Sequence, residues 1–201
     1  MKQMLVFSGA PCSGKDSAVK EILKTISLPK IPMSDELRKL EKTNPQAWPE
    51  IQTDMENGYL VADEYTVPAI RRALEAIADL PNDSALLNGV VRSVRQAQEF
   101  WVISQQRGWE VVIFDVRATD DICARRSVKR FADQGRKDDN PEVFARRLKV
   151  FKEHTMPAID FLVRKGATYH GIDGNGTNDE AVEQIMAKLV LPKARAEEVK
   201  I

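Results

Sequence analysis

The stretch Gly-Ala-Pro-Cys-Ser-Gly-Lys-Asp-Ser, residues 9–17, decides the fold of this chain. An apolar run at residues 4–7 precedes it, and residues 18–23 follow it with the apolar spacing of a helix. Glycines let the backbone N–H groups converge on an anion, the following helix adds the positive end of its dipole, and Lys15 adds a full charge. The sequence therefore predicts a phosphate-binding loop for a nucleoside triphosphate or a close relative of one.

The loop departs in one place from the general pattern G-x-x-x-x-G-K-[ST]. Asp16 follows the lysine, and the hydroxyl comes one residue later. A proline two residues after the first glycine, combined with G-K-x-[ST], resembles the loop of adenylate kinases and other nucleoside monophosphate kinases, in which glycine usually follows the lysine. The loop residues expected to bind ATP are Gly9, Pro11, Cys12, Ser13, Gly14, Lys15, Asp16 and Ser17.

The composition indicates one compact domain over residues 1–201, with 43% hydrophobic and 30% charged side chains. Thirty basic and thirty acidic residues balance, which argues against nucleic acid or a membrane surface as a partner. Apolar runs are shorter than the roughly 20 residues of a membrane span, and no signal-peptide cleavage region is evident, so we expect a cytoplasmic protein. Cys12 and Cys123 lie far apart in the sequence, so neither a disulfide framework nor a structural zinc site is expected.

Strand-like and helix-like segments alternate along the chain. Strands are predicted at residues 4–8, 30–31, 85–88, 110–115 and 167–172, and long helices at 62–78, 93–106, 121–132, 141–164 and 180–189. This alternation is typical of an α/β fold with a parallel sheet wrapped by helices. Ligands bind beyond the carboxyl ends of the strands in such sheets, which places the active site at the phosphate loop.

Two segments do not fit the alternation, and we expect them to form mobile lobes rather than core. Residues 32–62 are dense in Pro, Asn and charge, and residues 131–140 form a short polar connection between two helices that carry arginines. Residues 191–201 are predicted to form a charged tail with no evident role.

Several arginines fall near the predicted ligand edge of the sheet. They are Arg38, Arg92, Arg126, Arg130, Arg136 and Arg147. A lone arginine is usually a solvated surface residue, but phosphoryl transfer needs dispersed positive charge over the reacting group, which several converging arginines would supply.

Motifs in a fixed order extend the resemblance over nearly the whole chain. Residues 31–38 resemble the I-S-T-G-D-x-L-R of adenylate kinases, residues 56–61 resemble K-G-x-L-V, and residues 86–92 resemble L-I-D-G-F-P-R. The arginines of residues 126–147 follow with the family's spacing. The resemblance implies a P-loop NTPase-type fold with a five-stranded parallel sheet, an NMP-binding lobe at residues 33–62, and a short lid at residues 131–140 that has no room for a four-cysteine zinc site.

The resemblance also implies a reaction and a set of roles. The reaction would be reversible, Mg²⁺-dependent transfer of the ATP γ-phosphoryl group to AMP by a monomer, without a covalent enzyme intermediate. Besides the loop, ATP would contact Arg126 and Arg130. The acceptor would be bound by Met33, Arg38, Val61, Gly89, Arg92, Gln96, Arg136 and Arg147. Catalysis would rest on Lys15, Arg92, Arg130, Arg136 and Arg147, and Mg²⁺ would be held through water by Ser17, Asp16, Asp35 and Asn88.

Two substitutions within these motifs leave alternatives open. Met33 replaces a threonine that senses the acceptor base, although Gln96 stands where the family reads adenine. A kinase for UMP, CMP or another monophosphate, a P-loop kinase for a small metabolite, and a non-catalytic nucleotide-binding relative are therefore alternatives. Asn88 replaces an aspartate that orients metal-bound water; Asp16 either compensates for the lost charge or only complements the dipole of its helix.

Three residue types have simpler interpretations. Cys12 is interpreted as a small residue that fits the loop, with a redox switch as the alternative. His154 and His170 have no metal-ligand spacing, so structural roles are expected. Trp48, Trp101 and Trp109 are interpreted as packing residues.

Overall fold

A sheet of five parallel strands forms the centre of the protein. A computed structural model describes residues 2–78, 84–135 and 140–190. The strands are β1 (Gln3–Gly9), β2 (Lys30–Pro32), β3 (Ser84–Asn88), β4 (Glu110–Arg117) and β5 (Thr168–Asp173), arranged in the order β2-β3-β1-β4-β5. β1 pairs with β3 and β4, with Phe7 opposite Asn88. The α/β fold class and the five predicted strands are confirmed.

Helices cover both faces of the sheet. They are α1 (Lys15–Thr25), α2 (Met33–Arg38), α3 (Leu40–Thr43), α4 (Trp48–Asn57), α5 (Asp63–Ala78), α6 (Val94–Gln106), α7 (Asp120–Gln134), α8 (Pro141–Val150), α9 (Met156–Lys165) and α10 (Asn178–Lys188). The helix predicted at 141–164 is instead two helices joined by a π-helical turn, Phe151–Thr155. None of the helices in the described ranges is both long and apolar enough to cross a membrane.

The strands separate two apolar clusters. Met4 and Val6 face a cluster with α5, α6 and α9, whereas Leu5 and Phe7 face a second cluster with α1 and α10. Successive side chains on a strand point to opposite faces, and strands of a parallel sheet are buried on both. The central strand is therefore apolar from Met4 to Phe7, and its burial on both faces holds the start of the loop that follows it.

The expectation that residues 32–62 lie outside the core is wrong for their apolar side chains. Met33, Leu37, Leu40, Ile51 and Val61 are buried and belong to the same cluster as α5 and α6. The first three recur at spacings of three and four, which places them on one face of helical backbone. The boundaries of the two lobes remain predictions, and residues 136–139 of the predicted lid, with Arg136, lie outside the described residues, as does the tail at 191–201.

Candidate active site

A cleft of about 910 Å³ opens where β1 and β3 end. It is lined by the loop after β1, the segment containing α2 and α4, the π-helical turn, and the loop after β5. The predicted site residues on its walls are Gly9, Pro11, Cys12, Ser13, Gly14, Lys15, Asp16, Ser17, Met33, Arg38, Val61, Asn88, Gly89, Arg92, Gln96, Arg126, Arg130 and Arg147. The topology thus gathers residues from distant parts of the sequence at one edge of the sheet.

Asp35 is not brought into this group. Its carboxylate accepts a hydrogen bond from Arg38 at 2.9 Å, both side chains are exposed, and Asp35 does not line the cleft. Positions three apart on α2 are neighbours on the helix surface, which explains the pair. A role for Asp35 near a metal remains a prediction.

The loop after β1 contains left-handed backbone and leads directly into the N-terminus of α1. Gly14 caps this helix with a left-handed φ of 103°, and Cys12 has a φ of 63°. A Cβ at Gly9 would lie 2.6 Å from both Ser13 Oγ and the Val116 carbonyl oxygen, so only glycine fits there. The first N–H groups of a helix have no partner within the helix, which leaves them available to an anion.

Lys15, Asp16 and Asn88 form a compact group at the start of α1. Lys15 Nζ donates to Asp16 Oδ1 and to Asn88 Oδ1, each at 2.6 Å, and Asn88 Nδ2 donates to Asp16 Oδ1 at 2.8 Å. Burial alone would raise the pKa of Asp16, but the charge of Lys15 and these hydrogen bonds hold it well below its usual range. Asp16 and Asn88, which both depart from the family pattern, are therefore in direct contact.

Positive charge accumulates around this group. Desolvation lowers the pKa of Lys15, and the charges of Arg92 and Arg147 lower it further. Arg92 lines the cleft and is exposed to solvent. Desolvation by the nearby protein atoms, followed by the charge of Arg147, lowers its pKa. Cations this close together repel one another, so an anion bound between them would be strongly favoured.

Arg126 joins the phosphate loop to the loop after β5. Its guanidinium donates to the carbonyl oxygens of Ser13 at 3.0 Å, Gly174 at 2.7 Å and Gly176 at 2.8 Å. A Cβ at Gly174 would lie 2.7 Å from the Ser13 carbonyl oxygen. Our sequence reasoning missed this second loop; its signal was the pair of glycines directly after a strand.

A buried hydrogen-bond network holds Gln96 at the other end of the cleft. Its Oε1 accepts from the Arg92 backbone N–H at 2.8 Å, and its Nε2 donates to Asp63 Oδ1 at 3.0 Å and Thr66 Oγ1 at 2.9 Å. Ser93, the N-cap of α6, also donates to Asp63 at 2.8 Å. Asp63, Thr66 and Ser93 were not singled out from the sequence; their network fixes the side chain predicted to read the acceptor base.

The π-helical turn contributes a further contact. Val150, Phe151 and Thr155 line the cleft, and Thr155 Oγ1 donates to the Arg92 carbonyl oxygen at 3.3 Å. The apolar spacing of residues 141–164 continues through this turn, so periodicity does not predict it. Such turns are frequent at functional sites because they shift the register of a helix locally.

Two further residues make contacts in addition to those of their simple interpretations. Trp48 packs against the first apolar cluster but also lines the cleft. Cys12 packs against the small cluster that contains Cys123, although the two are far apart in the sequence. Burial, followed by the proximity of Cys12, raises the pKa of the Cys123 thiol to about 11.

Comparison with known proteins shows the family to which the chain belongs. The family model described as Adenylate kinase matches residues 7–167. The chain belongs to the adenylate kinase family. It is similar to adenylate kinases of Porphyromonas gingivalis (27% identity; 92% of this chain and 94% of the relative covered), Phocaeicola vulgatus (29%; 91% and 96%) and Hyphomonas neptunium (28%; 92% and 97%).

Membership of this family settles the class of reaction. The chain is an enzyme, a nucleoside monophosphate kinase that transfers a phosphoryl group between ATP and AMP. The metabolite-kinase and binding-only alternatives, and a different monophosphate as the main acceptor, are not favoured. The family-level prediction from the sequence motifs is confirmed.

Proposed function

We propose that the enzyme transfers the ATP γ-phosphoryl group reversibly to AMP in this cleft, giving two ADP, with Mg²⁺ as its cofactor. One observation carries the proposal: a single cleft runs from the phosphate loop, past Lys15, Arg92 and Arg147, to a pocket bounded by Met33 and Gln96. Two nucleotides bound at its ends would have their phosphates between these cations. Positioning and charge neutralisation then supply the catalysis.

On the donor side, the loop amides and Lys15 bind the β- and γ-phosphates. Lys15 exchanges its contacts with Asp16 and Asn88 for phosphate oxygens when the nucleotide enters. Arg126 lies beside the ATP base, at the junction of the phosphate loop and the loop after β5, and Arg130 reaches the phosphates. The hydrogen bonds of Arg126 to both loops support this assignment because they hold the two loops together.

On the acceptor side, Arg38 and Arg92 bind the AMP phosphate. A planar guanidinium can donate two parallel hydrogen bonds to phosphate, which an ammonium group cannot do. Met33, Val61, Gly89 and Gln96 surround the base. Arg147, together with Arg136 of the lid, stabilises the negative charge that develops on the transferred phosphoryl group. Closure of the lobes at 33–62 and 131–140 would exclude water, which otherwise competes as an acceptor.

The residues at the start of α1 fit Mg²⁺. The cation prefers oxygen ligands and keeps several waters, so one ionised carboxylate beside a hydroxyl and an amide suits it when phosphates complete the shell. Asp16 stays ionised and 68% of its side chain is exposed. Asp16, Ser17 and Asn88 would hold the metal through water, with Asp35 contributing only if its pair with Arg38 opens. Bound Mg²⁺ would neutralise charge on the β- and γ-phosphates.

Replacing Asp16 by glycine tests this metal site. We expect the Mg²⁺ concentration for half-maximal activity to rise about tenfold, because an outer ligand that orients metal-bound water is lost. The measurement is ADP formation against free Mg²⁺ at saturating ATP and AMP. Glu21→Gln is the control, since it removes an exposed acidic side chain from the same helix. An unchanged Mg²⁺ dependence in Asp16→Gly would mean that Asp16 only complements the helix dipole.

A panel of acceptors tests the acceptor assignment. Mg-ATP is incubated with AMP, dAMP, GMP, UMP or CMP, and kcat/KM for diphosphate formation is measured for each. AMP is expected to be preferred. Met33→Thr is expected to increase the preference for AMP over GMP by about tenfold, because a polar contact discriminates between bases better than an apolar wall does. Preference for another base would overturn the assignment of AMP, and absence of product with every acceptor would overturn the transferase activity.

The enzyme is further proposed to act as a cytoplasmic monomer without nucleic-acid or membrane partners. The balance of thirty basic and thirty acidic residues supports the absence of nucleic-acid and membrane partners, since no general anionic partner is attracted. The monomeric state rests on the family resemblance alone.

A further inference from the structure

A contact that the sequence motifs do not predict links the segment containing α4 to helix α8. The turn Asn57-Gly58-Tyr59 begins at the last residue of α4, and Arg146 lies on α8. The Arg146 guanidinium donates to the Asn57 carbonyl oxygen at 2.7 Å and lies over the Tyr59 ring, 4.4 Å from its centroid. One side chain thus joins two segments that are 89 positions apart in the sequence.

The backbone of this turn touches α8 directly. Gly58 has a left-handed φ of +76°, and a Cβ there would lie 2.5 Å from Arg147 Cγ and 3.1 Å from the Val143 carbonyl oxygen. Glycine is therefore required by both conformation and space. The neighbour at closest approach is the stem of Arg147, whose side chain lines the cleft.

We propose that Arg146 is a positioning residue, which holds the Asn57–Tyr59 turn against α8 and so sets the separation between the acceptor pocket and Arg147. Successive residues on a helix point about 100° apart, so Arg146 can bind the turn while Arg147 faces the cleft. Leu60 and Val61, directly after the turn, line the acceptor end of the cleft. Displacement of the turn would therefore move one wall of the acceptor pocket relative to Arg147, the cation proposed to stabilise charge on the transferred group.

The chemistry of this contact requires arginine. A guanidinium can stack on an aromatic ring with its flat face and still donate in its own plane to a carbonyl oxygen, whereas an ammonium group offers no such plane. Tyr59 is 49% exposed, so its ring is not buried as part of the core. The ring instead provides the surface on which Arg146 lies.

The test compares Arg146→Ala, Arg146→Lys, Tyr59→Leu and Tyr59→Phe with Lys149→Ala, a control that removes an exposed cation from the same helix. The measurements are kcat, KM for AMP, KM for ATP, Tm, and AMP affinity by calorimetry. Arg146→Ala is expected to raise KM and Kd for AMP about tenfold, the effect of losing one charge-assisted hydrogen bond and a cation–π contact. KM for ATP and Tm stay close to wild type, Tyr59→Phe retains wild-type behaviour, and Arg146→Lys recovers only part of the loss.

Two results would overturn this role. The first is an Arg146→Ala enzyme whose KM and Kd for AMP are unchanged. The second is an equal change in KM for both nucleotides together with a lower Tm, which would indicate a general packing defect. The inference rests on the proposed acceptor site, but calorimetry separates the two questions. A wild-type protein that bound AMP without turning it over would contradict the proposed function, while the ratio of variant to wild-type Kd would still decide the role of Arg146.

Discussion

Replacement of Lys15 by methionine is expected to lower kcat for ADP formation by about 100- to 1,000-fold, the usual cost of removing one preorganised charge from a reacting centre. The Lys15 side chain is only 15% exposed, and it is surrounded by Arg92, Arg147, Asp16 and Asn88. Methionine keeps much of the length of the side chain but removes its charge. The measurement is initial rate at saturating Mg-ATP and AMP.

Lys24→Met is the matched control for this variant. Lys24 lies on the same helix, its side chain is 62% exposed, and its partner is the exposed Glu21. We expect it to leave kcat near wild type, because surface ion pairs contribute little. A Lys15→Met enzyme with kcat within about threefold of wild type would contradict the assignment of Lys15 to the reacting phosphates, which calls for a loss of at least 100-fold.

Replacement of Arg92 by alanine is expected to lower kcat/KM for AMP by about 100-fold, because two charge-assisted hydrogen bonds to phosphate are lost. Arg92 is fixed from both sides of its backbone, by Gln96 at its N–H and by Thr155 at its carbonyl oxygen. Arg92→Lys should recover only part of this loss, since a lysine cannot reproduce the planar fork. The measurement is kcat/KM with AMP varied at saturating Mg-ATP.

Arg95→Ala is the control for Arg92, since it removes an exposed arginine from α6. Its kcat/KM for AMP should equal that of wild type. The specific test of the acceptor role is a comparison of the two nucleotides: KM for ATP should change little in Arg92→Ala. An equal rise in KM for ATP and for AMP would place Arg92 outside the acceptor phosphate site.

Much of the fold was predictable because its signals are local. The apolar run of β1, the glycines of the phosphate loop and the start of α1 are contiguous, so their order specifies strand, turn and helix directly. The position of Arg92 at the ligand edge was also predictable, because it follows β3 closely and the carboxyl ends of parallel strands meet at one edge of a sheet. Arg126 and Arg147 lie within α7 and α8, and their place at the cleft was expected from the family resemblance.

The remaining features depend on contacts between residues far apart in the sequence. The bonds of Arg126 to the loop after β5, the network that holds Gln96, and the contact of Arg146 with Tyr59 have no local pattern. The π-helical turn cannot be predicted from periodicity, because the apolar spacing of the sequence continues through it. The density of Pro, Asn and charge in residues 32–62 also hid the buried faces of its helices, whose apolar residues are sparse but regularly spaced.

Two adenine nucleotides are proposed to bind in this cleft with their phosphates adjacent. The most direct test of this arrangement is incubation of the enzyme with Mg²⁺ and with ADP as the sole nucleotide. Phosphorus NMR follows the products without a coupling enzyme. The proposed reaction, run in reverse, predicts ATP and AMP in equal amounts, with almost none formed by Lys15→Met in the same time. Unchanged ADP, or AMP and inorganic phosphate without ATP, would contradict transfer between two bound nucleotides.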